Sequence, residues 1–179
     1  MRVEECMTTT VFTCRPETTL EQAARLMWEH DYGVLPVIDD QDRVVALVTD
    51  RDLCMGAYTQ GKALAEIPVA SSMSRTVVSC HPDDAIEQAI RAMADQRVRR
   101  VPVVDASGKL LGMLSLNDVF RRVASVREYR LRSSLSARLV EAVTAICERR
   151  GARDELQPTP AQGRPIESGT VARIGVRDR

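Results

Sequence analysis

The sequence predicts a mixed α/β (α+β) protein in which two β-α-β-β-α repeats pack about a pseudo-twofold axis and an amphipathic C-terminal helix follows. Three observations support this fold class. Residues 3–54 align with residues 69–120 without a gap, and 15 of the 52 aligned pairs are identical, which indicates a tandem duplication. Strand and helix periodicities recur in the same order in both copies. Hydrophobic residues are 44% of the chain and aromatic residues only 3%, so we expect an aliphatic core.

The first copy begins with a short run of strand-forming residues, TVFTC at positions 10–14. Apolar residues at helical spacing then predict an amphipathic helix over about 19–31, and Thr18 or Thr19 is suited to be its N-cap. The next segments, GVLPVID and RVVALVT, are apolar and are separated by an acidic turn, so they predict a β-hairpin. A second helix, DRDLCMGAY, is expected to start at Thr49.

The second copy predicts the same elements in the same order. Its hairpin turn, ASGK at positions 106–109, contains a glycine, which tolerates the positive φ that tight turns need. One copy of about 55 residues buries too little surface to be comfortably stable by itself. The two copies are therefore expected to pack their sheets against each other, which creates two related clefts at the seam.

The C-terminal third is expected to be helical and then flexible. The last helix of the second copy is predicted to continue through VFRRVASVREYRLR. After it, LSARLVEAVTAICERR places Leu135, Leu139, Val143 and Ile146 on one face, and Gly151 is expected to end this helix. That face is predicted to cover its own module, to build a dimer or to bind another protein. The predicted units are residues 1–60 (first repeat), 61–124 (second repeat), 125–151 (helical extension) and 152–179 (flexible tail).

Charge and cysteine content narrow the class of protein. The formal net charge is zero, although residues 121–179 hold 13 basic and 7 acidic residues. No apolar run reaches the ~18–20 residues that span a bilayer, and the N-terminal segment lacks the apolar stretch of a signal peptide. The five cysteines include no close CxxC pair. We therefore expect a cytoplasmic protein with reduced thiols and no membrane partner.

The basic C-terminal third also raises the question of a nucleic-acid partner. A solvated helix face explains its arginines better, and we do not expect nucleic-acid binding. The arginines concerned are Arg121, Arg122, Arg127, Arg130, Arg132 and Arg138.

Histidines and cysteines suggest two other functional classes. The only histidines are His30 and His81, and nothing in the sequence places either beside an activated nucleophile, so no catalysis is expected. Cys14, Cys80, His81 and Cys147 form a metal or redox site only if the fold brings them together. Cys14 and Cys80 occupy equivalent positions, which favours a packing role because free cysteine behaves as a small hydrophobic residue. A cysteine-based redox or metal sensor stays an alternative, although no metal is predicted.

A hydroxyl residue and an aspartate recur near the end of each copy. Two residues separate Thr49 from Asp52, and two separate Ser115 from Asp118. Each pair lies where an apolar strand is expected to enter a helix, so free N–H groups and the positive end of the helix dipole surround it. The pairs suit a bound anion or polar ligand, and they equally suit a helix capping box. One pair can serve both roles.

The complete pattern resembles a tandem pair of cystathionine-β-synthase (CBS) domains, also called a Bateman module. The matching motifs occur twice in register: V-x-x-x-M, T-V-x-(T/S)-C-x-P, h-P-V-h-D and h-(T/S)-x-x-D, where h is hydrophobic. The resemblance covers about residues 1–124. It implies a stand-alone CBS-domain protein that dimerises into a disc and binds adenosine-containing ligands such as AMP, ADP, ATP or S-adenosylmethionine. No obligatory cofactor is expected, and the regulated protein partner is left open.

On this resemblance, the two aspartates are expected to bind ribose. Asp52 and Asp118 can each accept hydrogen bonds from both ribose hydroxyls, because a carboxylate offers two oxygens to a vicinal diol. Thr49 and Ser115 are expected to add a hydroxyl contact to ribose or phosphate. The competing hypothesis is a ligand-independent scaffold, in which the duplicated fold serves dimerisation and the basic helix docks a partner.

The resemblance also assigns phosphate and adenine contacts. Arg100 lies near the family's phosphate-binding position and has Val34 as its equivalent in the first copy, so the two clefts are expected to differ. Arg51 is a second phosphate candidate, and Asn117 is its equivalent. In this family the ends of the first strands line the adenine pocket, largely through backbone contacts. The residues at those ends are Thr13, Cys14, Ser79 and Cys80.

Overall fold

The structure, a computed structural model, describes residues 1–74 and 76–148. Its helices and strands confirm the predicted fold class, because each repeat contributes a small antiparallel sheet and two helices. In chain order they are α1 (Leu20–His30), β1 (Val34–Ile38), β2 (Val44–Thr49), α2 (Asp50–Gln60), α3 (Ile86–Asp95), β3 (Arg100–Val104), β4 (Leu110–Ser115), α4 (Leu116–Ala124) and α5 (Tyr129–Cys147).

The first helix forms as the sequence predicts because its ends are capped and one face is apolar. Thr19 is the N-cap: its hydroxyl accepts from the N–H of Gln22, and the Gln22 side chain accepts from the Thr19 N–H. Leu20 and Met27 are buried on the inner face. Asp31, with φ of 56°, ends the helix in the left-handed conformation.

The two hairpins are alike in register and meet at their turns. β1 pairs with β2 and β3 with β4, and each ladder shifts register at the equivalent place near its turn. The Val44 N–H donates to the Gly108 carbonyl at 3.0 Å, and the Leu110 N–H donates to the Asp42 carbonyl at 3.2 Å. These reciprocal bonds join the two repeats about the pseudo-twofold axis.

The predicted first strand of each repeat is reduced to a single bridge. Cys14 pairs in parallel fashion with Val37, and Cys80 pairs with Val103. The Cys14 N–H donates to the Pro36 carbonyl at 3.0 Å, and the Cys14 carbonyl accepts from the Ile38 N–H at 2.9 Å. A proline two residues after each cysteine cannot donate to a ladder, which explains why the pairing stops there.

The first segment of each repeat packs on the other repeat. Val3 is buried in the core of the second repeat, whereas Val69 is buried in the core of the first. Thr8 exchanges both backbone hydrogen bonds with Met113, at 2.8 and 2.9 Å, and the Ser74 N–H donates to the Leu47 carbonyl at 2.8 Å. The repeats therefore interlock, and the units in space differ from the units in sequence.

The C-terminal extension departs from the predicted helix boundaries. The prediction that the last helix of the second repeat runs on through residue 132 is wrong, because α4 ends at Ala124 and α5 begins at Tyr129. The Ser125 hydroxyl and N–H both donate to the Arg122 carbonyl, which closes the last turn locally. α5 also begins before Ser133, where the next helix was predicted to follow.

The apolar face of α5 covers its own module. Leu135, Leu139 and Ala142 are buried against α3 and α4, and Val143 and Ile146 pack beside them. This outcome selects one of the three predicted partners of that face. Gly151 and the predicted tail 152–179 lie outside the described residues. Within the described part of the chain, no helix has the length and apolar character needed to cross a bilayer.

Candidate functional site

Both hydroxyl–aspartate pairs form reciprocal capping boxes. Oδ2 of Asp52 accepts from the Thr49 N–H at 2.8 Å and from its hydroxyl at 2.7 Å, and the Thr49 Oγ1 lies 3.3 Å from the Asp52 nitrogen. Ser115 and Asp118 repeat this arrangement, with 2.9, 2.5 and 3.2 Å. The predicted capping role is therefore present in both copies. One carboxylate oxygen of each aspartate is used for it.

The second carboxylate oxygens have different surroundings. Oδ1 of Asp118 accepts a hydrogen bond from Nη2 of Arg121, one turn further along α4. The equivalent position in α2 is Met55, which offers no donor. Within residues 1–74 and 76–148, no hydrogen-bond partner reaches Oδ1 of Asp52. Only the first repeat thus presents a carboxylate oxygen that is open to an incoming donor.

A first cavity of about 460 Å³ lies beside Asp118. Thr10 and Val11 of the crossed N-terminal segment line it, together with Val34 of the first repeat and Met113 of the second. Its volume falls within the ~300–1,000 Å³ typical of small-molecule sites. The polar or charged residues on its wall include Asp31, Arg100, Ser115, Asn117, Asp118 and Arg121.

A second cavity of about 510 Å³ lies beside Thr49 on the other side of the seam. Three guanidinium groups and one carboxylate line it, those of Arg51, Arg99, Arg100 and Asp50. Asp52, which the sequence predicted for this cleft, caps α2 next to Thr49 without lining the cavity wall. The second cavity is therefore the more positive of the two.

Arg100 borders both cavities. It is the first residue of β3 and pairs in register with Ser115. An ideal Cβ at Gly33 would lie 3.6 Å from Nη1 of Arg100 and 3.3 Å from Oδ2 of Asp50, so the guanidinium reaches across the seam to the first repeat. The missing side chain at Gly33 leaves the space for it. The structure thus brings Arg100 together with both hydroxyl–aspartate pairs, as the sequence predicted.

The residues predicted at the adenine edge occupy a different layer. Cys14 and Cys80 are buried in the two cores, where each thiol lies 3.9 Å from a proline carbonyl. Burial raises the pKa of both thiols to about 12. Neither cysteine lines a cavity wall, nor do their neighbours Thr13 and Ser79. The backbone contact of this edge with adenine stays a prediction.

The described residues do not assemble the hypothetical metal site. Across residues 1–74 and 76–148, no group of three or more His, Cys, Asp or Glu side chains could hold a metal ion. Cys14 and Cys80 lie in separate cores, and Cys147 is exposed on α5. Nδ1 of His81 lies 3.0 Å from the Val104 carbonyl. All five cysteines are free.

Several cavity residues were missed by the sequence interpretation. Thr8 and Thr10 reach the first cavity only because the N-terminal segment crosses to the second repeat. Arg121 was attributed to a basic helix face, although its spacing of three residues from Asp118 places both on one side of a helix. Comparing Arg121 with its equivalent Met55 would have marked the difference between the clefts.

Comparison with known proteins gives one consistent family. The CBS domain family model matches residues 3–56 and 64–125. CBS domain-containing protein YhcV of Bacillus subtilis is 37% identical over 117 residues, which cover 65% of this chain and 81% of YhcV. The crystal structure of CBSX2 in complex with AMP has 29% sequence identity and a TM-score of 0.63, and the match covers 71% of this chain and 98% of that one.

A second solved structure matches at lower identity. The CBS domain pair of protein MJ0100, in complex with 5′-methylthioadenosine and S-adenosyl-L-methionine, has a TM-score of 0.62 at 21% identity. The match covers 69% of this chain and 96% of that one. At this identity the likeness supports the fold alone.

Proposed function

The chain belongs to the CBS-domain family, and we propose that it is a regulatory module that binds an adenosine-containing ligand and signals to a separate partner protein. The ligand class comprises AMP, ADP, ATP and S-adenosylmethionine. CBSX2, which has 29% sequence identity to this chain, is described in complex with AMP. The five free cysteines are consistent with the proposed cytoplasmic location.

The observation that carries the proposal is the composition of the first cavity. An apolar wall that includes Val11, Val34 and Met113 faces Asp118 at the N-terminus of α4, with Arg100 at the border. An adenine base would pack on the apolar wall, and the ribose diol would donate to Asp118. A phosphate would meet the guanidinium of Arg100, whose planar donors suit phosphate oxygens. Ser115 would add a hydroxyl contact.

The second cavity is proposed to bind a ligand with different preferences. Thr49 and Arg51 line it beside Arg99 and Arg100, so its excess of positive charge favours a polyphosphate over a single phosphate. Oδ1 of Asp52 lies next to the same helix N-terminus, and we propose that it takes ribose hydroxyls there. A ligand signals only if it binds one conformation of the module more tightly than another.

Calorimetric titration with AMP, ADP, ATP and S-adenosylmethionine tests this function, after any co-purified ligand has been removed. We expect saturable binding of at least one of them. Asp118→Ala should weaken it at least about tenfold, because charge-assisted hydrogen bonds are lost. Asp118→Asn is the matched control for folding, since an amide oxygen keeps the cap to the Ser115 N–H.

The outcomes separate the ligand sensor from the scaffold. Folded Asp118→Ala protein that no longer binds supports the first cavity as the site. If Asp52→Ala abolishes binding instead, the ligand occupies the second cleft. Folded, ligand-free wild-type protein that binds none of the four compounds contradicts the sensor and favours the ligand-independent scaffold.

We also propose that two copies form a homodimer through the helical face of the first repeat. Trp28 is 88% exposed and Tyr58 74% exposed on this face, beside a groove of about 650 Å³ to which Ala24, Cys54 and Ala57 contribute. The face holds both a projecting ring and a groove with small residues, so two copies related by a twofold axis complement each other. α5 covers the equivalent face of the second repeat.

Sedimentation equilibrium of Trp28→Glu tests this interface. The wild type is expected to be a dimer, and Trp28→Glu a monomer, because a charge would be buried at the contact. Val140→Glu is the control, since Val140 is 64% exposed on α5, away from the proposed interface. A monomeric wild type, or a dimer that only Val140→Glu disrupts, would refute the proposed face.

A further inference from the structure

Arg121 occupies the carboxylate oxygen that a ribose diol needs. Its Nη2 donates to Oδ1 of Asp118, while Oδ2 of the same carboxylate accepts from the N–H and hydroxyl of Ser115. Both oxygens of this aspartate are therefore engaged. The Asp118 side chain is 10% exposed and that of Arg121 is 77% exposed. The carboxylate is thus held in place, and the arginine is the partner that can move.

The first repeat shows the same site without this contact. Thr49 caps α2 through Oδ2 of Asp52 just as Ser115 caps α4, but Met55 takes the place of Arg121. The contact is therefore not required for the capping box. It is an addition that only the second repeat carries, and it lies on the wall of the first cavity.

From this geometry we infer that Arg121 is a specificity-determining residue of the first cavity. It must leave Asp118 before a diol binds there, and its freed guanidinium then favours a phosphate-bearing nucleotide over the bare nucleoside. The inference deepens the proposed adenosine-ligand function and rests on it. A bare nucleoside bears the cost of displacing Arg121 and gains nothing from the released cation.

Two magnitudes determine the expected pattern. The Arg121–Asp118 pair is exposed on the arginine side, and such pairs are worth only about a two- to fivefold change in an equilibrium constant. A hydrogen bond from guanidinium to phosphate is worth about tenfold or more. Displacement of Arg121 is therefore affordable for AMP and unfavourable for adenosine. Arg100 borders the same cavity and provides the second cation, while Asp31 is the other carboxylate on its wall.

Titration of wild type and Arg121→Ala with adenosine and with AMP measures this effect. The variant should bind adenosine about two- to fivefold more tightly, because its competitor for Asp118 is gone. It should bind AMP more weakly, so that the preference for AMP over adenosine falls about tenfold or more. A structural role for Arg121 would shift both affinities in one direction.

Two controls isolate the contact. Arg122→Ala removes the neighbouring arginine, which pairs with Glu5 at 3.6 Å, and it should leave both affinities unchanged. With 2′,3′-dideoxyadenosine, which lacks the diol, Arg121→Ala should give no gain in affinity. The reverse substitution Met55→Arg should weaken any adenosine binding at Asp52 by a similar factor.

Failure of the inference differs from failure of the proposed function. Wild-type protein that binds neither adenosine nor AMP contradicts the ligand function, and the role of Arg121 falls with it. Wild-type protein that binds AMP, with an unchanged AMP-to-adenosine preference in Arg121→Ala, refutes the inference alone. A gain with dideoxyadenosine as large as with adenosine also refutes it, because the diol would then not compete with Arg121.

Discussion

The helical faces of the two repeats are built on the same backbone plan and have opposite surroundings. In the second repeat, α5 lies on α3 and α4 and buries Leu135 and Leu139. In the first repeat, nothing in the described chain covers the equivalent face, and Trp28 stands 88% exposed. Ala94 is the equivalent of Trp28, and its small side chain packs against the core that α5 completes. After duplication, single substitutions at equivalent positions were enough to give the two faces different partners.

The clefts differ in the same way. The capping geometry is shared, whereas Arg121 in place of Met55 and Arg100 in place of Val34 change the charge around each aspartate. The backbone of the repeat therefore sets where a ligand would sit, and a few side chains at equivalent positions set which ligand is preferred. Each prediction below alters one side of this comparison and leaves the other side as its reference.

Removing a buried contact of α5 should have the largest effect. Leu139 is fully buried between α5 and the second repeat, so Leu139→Ala is expected to lower the free energy of unfolding by about 2–5 kcal/mol. Val140→Ala, at the exposed next position, should change it by less than about 0.5 kcal/mol. Chemical denaturation measures both. Equal effects of the two variants would show that α5 does not cover the second repeat in solution.

Truncating the crossed segments should have the next largest effect. Val3 and Val69 are fully buried, and replacing either by alanine should cost about 2 kcal/mol. Native-state hydrogen exchange locates the loss, because opening can be local. Val3→Ala should increase exchange in β3 and β4, and Val69→Ala in β1 and β2. If each variant loosened its own sequence repeat instead, the segments would not cross.

Loss of the capping hydroxyls should have a smaller effect that is similar in both repeats. Thr49→Ala and Ser115→Ala each remove the oxygen that accepts from the N–H of the aspartate in the capping box. Each is expected to lower the free energy of unfolding by about 0.5–2 kcal/mol. Thermal unfolding with Thr49→Ser as a matched control checks this. A variant without any loss of stability would show that its hydroxyl serves only the ligand.

The sequence predicted the duplicated elements because capping, turn chemistry and apolar periodicity act over a few residues. It could not predict the crossing, because Val3 and Val69 stay equivalent whether each enters its own core or the other one. The start of α5 at Tyr129 was also out of reach, since it depends on packing of Leu131 and Leu135 against the second repeat. The cavity walls that use Thr8 and Thr10 depend on that crossing.

The buried thiols provide the smallest expected effect and the closest match between the repeats. Burial raises the pKa of Cys14 and Cys80 to about 12, from a reference value of 9.0, with a minor contribution from Asp84 at Cys80. In the unfolded chain the thiols ionise near pH 9, whereas in the folded protein they stay protonated until about pH 12. The folded state therefore keeps its full stability below pH 9 and loses it progressively as the pH rises towards 12.

Denaturation midpoints at pH 7 and pH 9 measure this slope in wild type, Cys14→Ala and Cys80→Ala. Near pH 9 an unfolded thiol is only about half ionised, so each cysteine should account for a loss of a few tenths of a kcal/mol. Cys54→Ala is the control, because that thiol is exposed. Equal reductions of the slope in the two buried variants would support a shared packing role inherited by duplication. A reduction in only one of them would show that the two cores, unlike the two hairpins, have become physically different.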